Sequence, residues 1–276
     1  METKTVKKAA TRKSNVIGVK SPIWVILICA VAGFCFYQFV CGDPSRFADG
    51  DPVNGHPLNG DLLATVYKGG FIVPILMTCL LTVVVLSVER FIAMMSADGK
   101  GNTTKFVAEI KAALEANDLA KAKALCEKKK GVVASVVASA LIKYEQVETD
   151  SSLSKEKKLE AIQTQLEEAT ALEMPALQQN LPIIATLTTL GTLLGLLGTV
   201  LGMIRSFAAL ASGDGATDSQ ALSTGISEAL VNTATGIATG ALAVISYNYF
   251  SNKIDNLTYA IDEIGFCIVN AYAKTH

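Results

Sequence analysis

Two apolar segments, Ile183 to Phe207 and Thr224 to Phe250, limit what this chain can become. The first, IIATLTTLGTLLGLLGTVLGMIRSF, runs for about 25 residues with no charge before Arg205, more than the roughly 20 a helix needs to cross a bilayer. The second, TGISEALVNTATGIATGALAVISYNYF, is as long but holds Glu228 and Asn232 among apolar neighbours. Both are expected to span a membrane as helices.

On an ideal helix of about 100° per residue, the polar side chains of each segment align. Thr188, Thr192, Thr199 and Ser206 fall within roughly 40° of one another, with Gly195 and Gly202 alongside. Thr224, Glu228, Asn232, Thr235, Thr239 and Ser246 fall within roughly 80°. Two readings stand. Hydroxyls can return to the preceding turn's carbonyls while Gly195, Gly198, Gly202, Gly236 and Gly240 let helices pack closely. Alternatively the stripes line an ion path. An ionisable group in a membrane segment costs several kcal/mol unless paired, protonated or wetted, so Glu228 argues for function unless it reaches interfacial water.

The strings LGLLGTVLGMIRSF (Leu194 to Phe207), GISEALVNTATGI (Gly225 to Ile237) and SYNYF (Ser246 to Phe250) resemble the ExbB/TolQ branch of the MotA/TolQ/ExbB proton channel family. The upstream run LEEATALEMPALQQNLPIIATLTTLG (Leu166 to Gly191) extends the resemblance. It implies an all-α integral membrane protein with a three-helix core, assembled as a homo-oligomeric ring similar to a pentamer. It also implies work beside an ExbD/TolR-like single-span partner whose membrane Asp carries a proton, and force passed to a TonB-like protein. The family pattern carries over onto Thr199, Glu228 and Thr233. Relatives often have Pro where this chain has Thr192 and Leu242, so the usual reason for a kink is absent at both. On an ideal helix Thr233 lies about 140° from Glu228. Glu228, Asn232 and Thr235 are therefore expected to face the lumen with Thr199, and Thr233 to face a neighbouring helix.

Residues 1–20 form a basic arm, with six Lys or Arg against Glu2 and no aromatic residue between the charges, which favours a topology signal over nucleic-acid binding. Residues 21–41 read as a first transmembrane helix, with Pro22 in its first turn and Trp24 and Tyr37 suited to the two interfaces. A signal peptide is the rival reading, but the run is long and no small-residue cleavage pattern follows. This span is extra to the three-helix plan and gives four, as in the MotA branch. Residues 42–70 are acidic and turn-rich, 71–95 a second span ending at Glu89 and Arg90, and 96–180 a Lys- and Glu-rich helical domain. Its helices are expected to break at Asn117 and Asp118, its Lys128 to Lys130 run to face solvent, and Pro175 and Pro182 to bend the helix leading into the third span. Then come the span 181–208, an acidic connector 209–223 with Asp214 and Asp218, the span 224–250 and an amphipathic tail 251–276. Lys and Arg placement puts the arm, the helical domain and the tail on the cytoplasmic side and the two acidic loops on the other, and the resemblance implies that the membrane is a bacterial inner membrane and the far side the periplasm.

Half the residues are hydrophobic and 18% charged, with net charge −1, which suits a lipid-embedded chain and argues against a nucleic-acid partner. The six cysteines and two histidines, His56 and His276, show neither a disulfide framework nor metal-ligand spacing, and no phosphate-binding glycine loop occurs. No enzyme and no cofactor is expected. The residues expected along an ion path are Thr188, Thr192, Thr199, Glu228, Asn232, Thr233 and Thr235. The resemblance implies a proton as the ion, with sodium as the alternative because Thr192, Asn232 and Thr235 offer oxygens that replace hydration. A Tol-type envelope motor, a motility stator and a non-conducting scaffold are the other readings. The topology has a direct test: an impermeant thiol reagent on intact cells should label Asn54→Cys and spare Lys121→Cys. The reverse pattern overturns it.

Overall fold

The computed structural model describes residues 21–48, 50–53, 55, 57–58, 60–212 and 216–275. The basic arm 1–20, His56, Asp214 and His276 lie outside them. Among the described residues the chain is almost wholly helical, with one isolated antiparallel bridge between Phe47 and Pro57. Four helices are long and apolar enough to cross a membrane. The chain divides into two units, one of residues 21–88 and 180–248, the other of 89–179 and 249–275.

The first unit begins with α1 (Pro22–Cys35), which widens into a π-helical turn, Phe36–Cys41. A loop with a short helix, α2 (Leu62–Tyr67), leads into α3 (Ile72–Asp98), and the unit is completed by α8 (Leu181–Ser212) and the first part of α9 (Ala216–Thr275). Cys79, Val83 and Leu86 of α3 bury against Ile184 and Leu187 of α8 and Ala243 of α9, with Val25 of α1 at the edge. Lipid supplies no hydrophobic drive between such helices, so close packing and internal hydrogen bonds must hold them. The outward faces agree: Trp24 and Ile28 of α1, Phe39 of the π-helical turn, and Leu193, Leu196 and Ile204 of α8 are exposed, as side chains in contact with acyl chains would be.

The loop before α3 is tied down by its own polar groups. Asp61 caps α2 by accepting from the amides of Leu63 and Ala64, and its other carboxylate oxygen pairs with Arg46 at 2.9 Å. Lys68 Nζ donates to Val53 O at 2.7 Å and lies over the Phe47 ring. Tyr37 stacks on Tyr67 with ring centroids 4.7 Å apart.

In the second unit, α4 (Thr103–Glu115), α5 (Leu119–Lys129), α6 (Gly131–Thr149) and α7 (Lys155–Gln178) pack with the end of α3 and the C-terminal part of α9. The expected break at Asn117 is present as a left-handed residue (φ 54), after which Asp118 caps α5 by accepting from Lys121 N. Tyr144 of α6 meets Tyr272 of α9 edge-on at 4.8 Å, inside a core that includes Ile110, Leu141 and Ile264. Arg90 is fully buried, held bidentate by Glu89 at 2.6 and 2.5 Å, and its third arm donates to Ala176 O in the last turn of α7. Burial pushes the Cys126 thiol up to about 12, so it stays protonated.

Three expectations need correcting. The chain interrupts at Gln179 and Asn180, where Asn180 adopts φ 64, and Pro182 lies in the first turn of α8, where its missing amide costs nothing. Helix α9 begins at Ala216, within the segment read as a connector, and continues to Thr275 through the segment read as a separate tail. No Gly or Pro lies between Asn248 and Asn252 to stop it, and apolar residues at Ile254, Leu257, Ile261, Ile264 and Ile268 keep the helical spacing. Lys129 does not face solvent. It is 4% exposed, donates to Gly101 O at 2.8 Å and Thr103 Oγ1 at 3.0 Å, and meets Asp98 Oδ1 at 3.4 Å.

Asp98 joins these groups. Lys253 pairs with its Oδ2 at 2.7 Å, and Thr103 donates to its Oδ1 at 2.5 Å. Burial works to raise the Asp98 pKa, but the hydrogen bonds from Lys253 and Thr103 and the charges of Lys253 and Lys129 together hold it below its ordinary value of 3.8. A depressed carboxylate contributes stability that is complete above the ordinary value and is lost as pH falls through the folded one. Asp98→Asn leaves Lys129 buried with its charge uncompensated, at a cost of about 3 kcal/mol. The variant should melt well below the native chain at neutral pH, and the gap should close on acidification below the ordinary carboxylate value. A gap unchanged by pH sinks this account.

Candidate functional site

The seam between α8 and α9 is built from glycine. A Cβ placed on Gly195 would come 3.0 Å from Gly236 Cα, and one on Gly202 would come 2.9 Å from Gly225 O. Gly240 likewise lies against Thr188 O and Thr192 Oγ1. Gly198 abuts the Asn232 side chain. The two backbones therefore approach to a separation that any larger residue would prevent. Both helices run without interruption through Thr192 and Leu242.

The threonines lie beside this seam. Thr199 is roughly 60° around α8 from the middle of the glycine face, between that face and the exposed leucines. Each hydroxyl donates to a carbonyl of its own helix: Thr188 to Ile184 O, Thr192 to Thr188 O, Thr199 to Leu196 O, Thr233 to Ala229 O and Thr235 to Val231 O. Thr239 does the same to Thr235 O and is fully buried. Thr233 stands next to Gly195 of α8, on the seam side of α9.

Glu228 and Asn232 occupy the buried face of α9, at 8% and 1% exposure. The Glu228 carboxylate takes a hydrogen bond of 2.6 Å from Arg205, whose guanidinium is half exposed and lies 5.8 Å from the centroid of the Phe71 ring. Asn232 Nδ2 donates to Gly69 O at 2.9 Å, while Oδ1 is buried without a protein hydrogen-bond partner among the described residues. Gly70 (φ 79) closes the site: its Cα presses on Glu228 so tightly that a Cβ there would overlap the carboxylate.

A single chain therefore shields Glu228 and Asn232. The turn before α3 and Arg205 cover them within the one chain. Glu228, Asn232 and Thr239 are brought onto one buried face, while Thr192 and Thr199 remain on the flank of α8. Arg205, Gly69 and Gly70 are site residues that the sequence reading passed over. Two signals were there to use: an intramembrane carboxylate calls for a named cation, and Arg205 is the one charge in its span; and a Gly-Gly pair before a helix announces a backbone that must adopt positive φ.

Comparison with known proteins bears on this region. Residues 128–263 match the pattern described as the MotA/TolQ/ExbB proton channel family, just under half of the chain. Over 86 residues the chain is 36% identical to a Synechocystis sp. protein named as a biopolymer transport protein, ExbB-like 3, covering 31% of this chain and 41% of that one. It is 34% identical over 99 residues to the Tol-Pal system protein TolQ of Pseudomonas aeruginosa, 36% of this chain and 42% of the relative. It is also 34% identical over 83 residues to TolQ of Haemophilus influenzae, 30% and 36%. The chain thus spans about two fifths of the length of the curated relatives it matches.

Gly70→Ala and Gly60→Ala separate the close approach from backbone strain. Both positions have positive φ, so each substitution costs about 1–2 kcal/mol in strain, but Gly60 has open space where its Cβ would go. Thermal melting in one detergent should show a clearly larger loss for Gly70→Ala. Equal losses would mean that the contact with Glu228 contributes nothing.

Proposed function

We propose, on the ground that residues 128–263 belong to the MotA/TolQ/ExbB proton channel family and its ExbB/TolQ branch, that this membrane protein is the channel-forming subunit of a bacterial inner-membrane motor. Protons run down their gradient beside it, and the energy is coupled to mechanical work on the cell envelope. The observation that carries the reading is the position of Glu228 and Asn232: an ion pair and an amide buried at membrane depth on α9, inside the family-matched segment and next to the threonine-flanked glycine seam.

Several copies form a ring, similar to a pentamer, with N- and C-termini in the cytoplasm. The glycine faces are used up in joining α8 to α9 within each copy, so the flank of α8 that carries Thr192 and Thr199 is what each copy can present to a central axis. The chain has no mid-membrane Asp in its last two spans, so the proton is carried there by an ExbD/TolR-like single-span partner. Force then passes to a TonB-like protein that energises outer-membrane transport. Relatives named ExbB-like and TolQ match at similar identity, which keeps a Tol-type task as the alternative within the same mechanism. A non-conducting scaffold is the second reading, and the return of the Thr188, Thr192, Thr199, Thr235 and Thr239 hydroxyls to their own helices favours it.

Three substitutions decide between them. Thr199→Val keeps the shape and removes the hydroxyl, and Glu228→Ala removes the carboxylate. Both should abolish partner-dependent proton flux at normal protein level without dissolving the oligomer, as read by native mass spectrometry. Thr186→Val, about 140° off the stripe of the same helix, should leave flux near native. Full activity in both of the first two makes the stripes packing surfaces and ends the ion-path reading.

A further inference from the structure

The first span, α1, is more than an anchor. Continued through the π-helical turn, its inward line runs Cys29, Gly33, Tyr37, Cys41, at intervals of four residues, with Tyr37 half-buried and the other three buried. Gly33 lies close against Thr78 of α3, since a Cβ there would come within 3.3 Å of the Thr78 amide and hydroxyl. One turn on, Tyr37 stacks on Tyr67 at 4.7 Å with planes 22° apart, and its hydroxyl donates to Tyr67 O at 2.8 Å and lies 3.4 Å from Gly70 O. Phe47 closes the other side of the Tyr67 ring edge-on at 5.9 Å, and Gly42 is packed against the same ring.

Tyr67 to Gly70 is the turn that covers the buried polar pair. Gly69 O accepts from Asn232, and Gly70 presses on the Glu228 carboxylate. Side chains from two sides thus hold carbonyls of one turn: Tyr37 donates chiefly to that of Tyr67 with that of Gly70 at the edge of its reach, and Asn232 donates to that of Gly69. Both glycines are needed for close approach and so contribute no side chain to hold the turn. Other ties of this loop, such as Arg46 with Asp61 and Lys68 with Val53, lie within the loop itself. From α1, Tyr37 is the residue that fastens the turn.

We propose that α1 caps the Glu228 site: Tyr37 is a positioning residue that pins the Tyr67 to Gly70 turn over Glu228 and Asn232, and so controls access of water and protons to the carboxylate from the loop side. The role as a gate on proton entry rests on the ion-path reading of Glu228, but the cap itself is a statement about accessibility.

The test reads accessibility and not flux, so it stands or falls whether or not the chain conducts. The purified full-length chain in lipid nanodiscs is treated with a water-soluble carbodiimide and glycine methyl ester, and modification of Glu228 is followed by peptide mass spectrometry. Glu89 is the internal standard, because it too is a largely buried carboxylate paired with an arginine: side-chain exposure is 12% for Glu89 and 11% for Glu228. Tyr37→Phe keeps the ring stack and removes the hydroxyl's hydrogen bonds, a change that should speed Glu228 modification up to about tenfold while Glu89 keeps its rate. Trp24→Phe, on the exposed face of α1, should leave both rates native. If Glu228 reacts at the native rate in Tyr37→Phe, or if Glu228 and Glu89 accelerate together, the cap is overturned.

Discussion

A carboxylate inside a membrane segment must be answered, and the arrangement of the first unit follows from how Glu228 is answered. Its charge is met by Arg205 from the neighbouring helix, and its open side is met by the backbone of Gly70. Truncating one partner of such a pair costs more than the pair itself contributes, because the other charge is left behind without water. Here Arg205 is half exposed, so the arginine can be hydrated and the penalty falls mainly on the glutamate side. The turn before α3, the glycine seam and the start of α9 all have to be where they are for Glu228 to remain buried.

The seam and the threonine stripes divide the work of one helix pair. Glycines bring backbones together and leave no room for anything else, whereas the threonines stand on the shoulders of the contact, where a further surface can reach them. The sequence reading treated glycine and hydroxyl as one face. They are adjacent faces, separated by roughly a sixth of a turn on α8, and in a helix that angle distinguishes an internal joint from a surface open to other molecules.

Most of the architecture was legible beforehand because length and hydropathy decide it: each long apolar run became a helix, and the Lys- and Glu-rich stretch became four more. The break after α4 was readable from Asn117 and Asp118, since both residues have local reasons to end one helix and start another. What could not be read were partners distant in sequence. Lys129 looks like a solvated lysine in a basic run, and only the return of α3 and α9 to its side supplies Asp98 and Lys253. Tyr37 looks like an interfacial aromatic, and only the fold of the 42–70 loop puts Tyr67 against it. The end of the last span was misplaced for a different reason: polarity changes near Asn248 but helix propensity does not, and a helix ends at a cap or a breaker, not at a change of solvent.

The back-bonded hydroxyls have an electrical consequence. A threonine that has given its only proton to a carbonyl one turn below has lone pairs alone to offer its surroundings. Thr192, Thr199 and Thr235 therefore form acceptor sites spaced along the helices with no donor among those hydroxyls. Water touching them must point its hydrogens toward the protein, a hydronium ion or a small metal cation is welcomed, and an anion meets only repulsive dipoles. Lone pairs of this kind would discriminate by the sign of a charge brought against them and not by the identity of the cation.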